Sequence, residues 1–161
     1  SVGLLNRISA IFQRRHINIE SFNSSMTEIE NVQRWTILVI TDESFIKKIV
    51  GQINRQIEVI QAYYHTDEET IYQESCLFKI KSSLLFDDRK IQNIIKESNS
   101  VIVTVNPEFF VIEKSGRKHE LDELYEKLNK YGILQYVRSA RIAVTKSPLM
   151  ISEILTDFKK K

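Results

Sequence analysis

The apolar residues of this chain fall into two successive runs of elements with the same order, and that repeat restricts the fold more than any other feature. Leu4, Leu5, Ile8, Ile11 and Phe12 share one helical face, which predicts a helix ending near Arg14–His16, with Asn18 offering a turn or cap. Residues 17–27 read as a strand and Glu28–Asn31 as a turn. Trp35–Thr41 is dense in β-branched and aromatic residues and reads as a central strand. Asp42 is placed to cap a second helix, whose apolar face is Phe45, Ile46, Ile49, Val50, Ile53 and Ile57. Val59–Tyr64 reads as a further strand. The first half is therefore αββαβ.

His65–Gln73 is polar and acidic, as a linker would be. Then the pattern recurs. Ser75–Lys81 reads as a strand, and Asp87 starts a helix carrying Ile91, Ile94 and Ile95. Val101–Val105 and Phe109–Glu113 read as strands, with turns at Asn106-Pro107 and Ser115-Gly116. A helix lined by Leu121, Leu124, Tyr125, Leu128 and Tyr131 stops at Gly132, a residue suited to a left-handed cap. Ile133–Val144 reads as one long strand, and Met150, Ile151, Ile154, Leu155 and Phe158 as a short final helix. This half is βαββαβ, the first half with one strand added at its start. The expected fold is α+β: two ferredoxin-like βαββαβ domains in tandem, over residues 1–66 and 74–161. The first lacks its opening strand, which is expected upstream of Ser1.

Composition removes several function classes. A net charge of +2 in 161 residues is far from the basic bias of a nucleic-acid binder, and part of the excess is the run Lys159-Lys160-Lys161. One cysteine, Cys76, permits no internal disulfide and suits a reducing, cytoplasmic setting. No apolar run approaches the roughly 18 residues of a membrane span.

Nothing in the residues points to catalysis. His16, His65 and His119 are too scattered to share a metal. Cys76 lies in an apolar strand, where a small buried side chain is the simpler reading. Asp87-Asp88 and Glu68-Glu69 are adjacent carboxylates, better explained by a helix start and a solvated linker than by acid–base work. The start of the chain says more. Ser1-Val2-Gly3-Leu4-Leu5-Asn6-Arg7 leads into a helix N-terminus, where backbone N–H groups lack partners and the dipole is positive. Gly3 has no Cβ to keep a ligand from the backbone. That geometry suits a carboxylate, and the apolar residues that follow suit an aliphatic side chain.

Gly3-Leu4-Leu5-Asn6-Arg7-Ile8, then Ile11-Phe12, then His16-Ile17-Asn18-Ile19-Glu20-Ser21-Phe22 resembles the hallmark of the acetohydroxyacid (acetolactate) synthase small subunits. That family shows G-x-L-x-R-[VI]-x-x-L-F and, after a short gap, [YF]-N-I-x-S-[LF]. Val103-Thr104-Val105-Asn106-Pro107 is similar to its V-D-V-[ST]-P turn, and the likeness runs to about Lys146. The last strand departs from it: Arg138 is kept, Ala140 stands where the family has glycine, and Lys146 where it has arginine.

The resemblance implies an amino-terminal ACT domain that pairs edge to edge with a second copy and binds an amino acid at the interface. It implies no catalysis by this chain and no cofactor on it. A separate large catalytic subunit would carry thiamine diphosphate, a divalent metal (Mg) and FAD. This chain would activate that subunit and confer feedback inhibition by a branched-chain amino acid, usually valine. Carried over by position, Gly3 and Leu4 offer amides to the ligand carboxylate, beside Leu5. Asn18 supplies side-chain hydrogen bonds and Ile19 encloses the aliphatic group, both across the dimer interface. Two other readings share part of the pattern. One is an ACT-type sensor serving another enzyme or regulator. The other is an RNA-binding βαββαβ module, which would need Phe78, Phe109 or Phe110 exposed on the sheet.

Overall fold

A computed structural model describes residues 3–87 and 89–159, with side chains to Thr156. Six helices and seven strands follow in the order α1 (Leu4–Gln13), β1 (Ile19–Met26), β2 (Gln33–Val39), α2 (Glu43–Ile53), β3 (Thr70–Lys81), α3 (Ser82–Asp87), α4 (Arg89–Glu97), β4 (Val101–Val105), β5 (Phe109–Gly116), α5 (Lys118–Asn129), β6 (Gln135–Arg138), β7 (Ile142–Thr145) and α6 (Ile151–Lys159). Contacts divide the chain into two units. One holds the residues up to Ile71 and those from Ala143 onward; the other is Tyr72–Ile142.

In the second unit the sheet order is β4-β5-β3-β6. The first strand of the unit thus sits between its third and fourth, as the ferredoxin-like topology requires. The pairs β3–β5, β3–β6 and β4–β5 are antiparallel, with Phe78 opposite both Ile112 and Tyr136. Alternation along β3 and β5 sends Cys76, Phe78, Ile80, Phe110 and Ile112 to one face, where Ile91, Ile95, Leu121, Leu124 and Leu128 of α4 and α5 cover them. Burial of each large side chain is worth about 1.5–3 kcal/mol, and this core has eleven buried residues to share it.

In the first unit β1 and β2 form an antiparallel pair, with Phe22 opposite Ile37 and Ser24 opposite Trp35. The Phe22 and Trp35 rings meet edge to face at 5.3 Å. Leu4, Ile8, Ile11 and Phe12 of α1 and Ile49 and Ile53 of α2 form the core, with Ile17, Ile19, Trp35, Ile37 and Val39 packed on it. The 3.6-residue spacing read from the sequence is what brings the α1 residues to one side.

Several sequence expectations change. Val59–Tyr64 is not a strand: Val59 and Ala62 pack on the core, but the backbone of Ala62 is hydrogen-bonded by the Asn54 side chain instead of a ladder. Phe45 is 43% exposed, and Ile57, beyond the end of α2, is fully exposed. The expected 65–73 linker holds a 3₁₀ turn, Asp67–Glu69, closed by reciprocal Thr66 and Glu69 bonds, and the start of β3. Asp87 ends α3 instead of starting a helix, and Ser115-Gly116 belongs to β5. The long last strand is broken at 139–141, where the Ser75 N–H donates to Ser139 Oγ at 2.8 Å. Asp88, Lys160, Lys161 and the Phe158 side chain lie outside the described residues.

Candidate functional site

Helix α1 opens at Gly3, whose φ of +99° is left-handed and strains any residue with a Cβ. The first helical bond runs from the Arg7 N–H to the Gly3 carbonyl at 3.1 Å. The N–H groups of Leu4, Leu5 and Asn6 therefore point out of the first turn, and no side-chain cap bond from Gly3 competes for them. Leu4 is buried in the core at 8% exposure, while Leu5 is 46% exposed. Of this pair, Leu4 can offer only its amide to a ligand, and Leu5 can offer a side chain as well.

The far end of α1 is shaped by His16. The Ile17 N–H reaches back to the Phe12 carbonyl at 3.1 Å, and the His16 N–H to the Gln13 carbonyl at 3.0 Å. His16 itself is left-handed at φ 57°. This is a Schellman-type stop, so the reversal expected at Asn18 is made by His16. The same device ends α4, with Asn99 at φ 54° and the Ser100 N–H on the Ile95 carbonyl. After the reversal Ile17 and Ile19 turn to the core and Asn18 between them stays exposed, one residue before β1. Ser9, Phe12, Gln13, His16, Ile17, Asn18 and Ile19 line an open groove of about 490 Å³.

Within one chain, then, the expected site residues lie in two groups. Gly3, Leu4 and Leu5 sit at one end of α1, and Asn18 and Ile19 in the groove at its other end. Ten helical residues at ~1.5 Å each separate the groups by about 15 Å. Ser1 and Val2, which precede the amide end, lie outside the described residues.

One feature of the amide end carries no local sequence signal. Arg7 places Nη1 3.6 Å from where a Gly3 Cβ would stand. Its Nε donates to Gln56 Oε1 at 3.2 Å and its Nη2 to Glu58 Oε1 at 2.5 Å.

In the second unit Arg138, the arginine shared with the family motif, donates to Glu74 and to Asp122 Oδ1 at 2.7 Å. Its side chain is only 22% exposed, so it acts as an internal tie. Lys118, and then Arg138, hold the Asp122 carboxyl below the usual aspartate range. Arg141 stacks on Tyr72, 3.7 Å from the ring centroid. Burial pushes the Cys76 thiol up to about 11. Among the described residues no group of three or more His, Cys, Asp or Glu could hold a metal, and no helix is long and apolar enough to cross a membrane. Phe78 and Phe110 are fully buried and so cannot stack on a base; Phe109 lies under Lys79.

Two family models match the chain. One, described as an AHAS small subunit-like ACT domain, covers residues 1–61. The other, described as the small subunit of acetolactate synthase, covers residues 73–147. The acetolactate synthase small subunit of Bacillus subtilis is 31% identical over 142 residues, which cover 88% of this chain and 82% of that protein. The small subunit of Mycobacterium bovis is 28% identical over 148 residues, covering 91% and 86%. The crystal structure of the Thermotoga maritima small subunit superposes with a TM-score of 0.80 at 21% identity, covering 92% of each chain, which shows a shared fold.

Proposed function

The chain belongs to the acetolactate synthase small-subunit family, and from that premise we propose that it activates a separate catalytic subunit and makes it inhibitable by a branched-chain amino acid, most simply valine. The observation that carries this reading is the division of the expected effector residues between the two ends of α1. Gly3 opens the amide end of α1, and Asn18 and Ile19 lie about 15 Å away in a groove beside the start of β1. Neither end is a whole site. Two copies paired along the edge of β1 that β2 leaves open would bring the amide end of one against the groove of the other. Each dimer would then hold two equivalent sites.

The division of labour follows from chemistry. Amides at a helix N-terminus favour the effector carboxylate. Asn18 offers both a donor and an acceptor, and Ile19 with the exposed side chain of Leu5 encloses the aliphatic group. Burying an isopropyl group is worth about 1.5–3 kcal/mol. An effector bound between protomers favours one dimer arrangement only by its differential affinity for it. The catalytic subunit would read that arrangement, and the coupling is reciprocal, so binding of either partner alters the other's affinity by one factor. Thiamine diphosphate, the metal and FAD belong to the catalytic subunit in this reading.

Titration calorimetry of the full-length protein with valine, leucine and isoleucine tests the effector half. Saturable binding of one of them, lost in Gly3→Asp and weakened in Asn18→Ala, supports the reading. Absence of binding by all three contradicts it.

A further inference from the structure

We draw no further inference here: the strongest candidate, the face of the second unit's sheet opposite its core, where Leu77, Val101 and Val137 stand exposed on neighbouring strands, is an unpartnered apolar face, and nothing in the structure shows what covers it.

Discussion

The Asn54 side chain makes two hydrogen bonds to the backbone of one residue, Ala62: Nδ2 donates to its carbonyl at 2.9 Å, and Oδ1 accepts from its N–H at 2.6 Å. A carboxamide presents a donor and an acceptor side by side, as a neighbouring strand would. It therefore satisfies the 59–64 segment where no ladder does, and it seats Val59 and Ala62 on the first core.

Asn54→Ala should remove both bonds and lower stability by about 1–3 kcal/mol, from a net ~0.5–1.5 kcal/mol per bond. Asn54→Asp keeps the acceptor alone and should fall between. Denaturant unfolding of the three proteins, with the slope unchanged, checks the order.

Gly116 is buried in β5, and a Cβ there would stand 2.7 Å from Oε2 of Glu120. That oxygen accepts the Arg117 N–H at 2.7 Å and so caps α5. Gly116→Ala should push Glu120 off its cap and cost about 0.5–2 kcal/mol, the range for a lost helix cap. In an Glu120→Ala background the same change should cost much less. A double-mutant cycle with no coupling energy would contradict this account.

Cys76 is 1% exposed, and its thiol is pushed up to about 11 by burial. An unfolded thiol ionises near 8.5. The folded state therefore holds its proton where the unfolded state releases one, and stability from this group is full below pH ~8.5 and declines as pH rises toward 11. A Cys76→Ala variant should lose less stability over that window than the wild type. At pH 8 the native thiol should resist a disulfide reagent that the unfolded chain consumes at once.

A site shared between protomers predicts complementation. Homodimers of Gly3→Asp and of Asn18→Ala should each have no intact site. A heterodimer of the two, purified with two tags, places both lesions in one site and leaves the other whole. It should bind valine at one per dimer with wild-type affinity. Failure of the heterodimer to bind would place both residues in a site formed within one chain.

The elements that the sequence made legible are those with strong periodicity. The α1 stripe and the alternation along β3 were readable because burial alone sets their spacing. Val59–Tyr64 misled because its β-branched and aromatic residues describe a half-buried extended segment, and only a partner makes such a segment a strand. In the second unit β3 lies between β5 and β6, whereas among the described residues the 59–64 segment pairs with no strand. The 133–144 run broke because the Ser139 hydroxyl replaces one rung of the ladder, a competition that hydrophobic pattern does not register. For the site, Gly3 was singled out because it has no Cβ to keep a ligand from the backbone; its left-handed φ is a feature the sequence alone did not signal. Asn18 was singled out only by motif, because a lone exposed asparagine has no local signature. Arg7 and Glu58 are 51 positions apart, and their pairing had no signal at all.

The most direct test of the central claim is reconstitution. A purified acetolactate synthase catalytic subunit from the same source is assayed for acetolactate formation alone, with the full-length protein, and with the protein plus valine. The account predicts that the protein raises the rate, that valine reverses the rise, and that Gly3→Asp keeps the rise while abolishing the reversal. A catalytic rate indifferent to the protein, with or without valine, would contradict it.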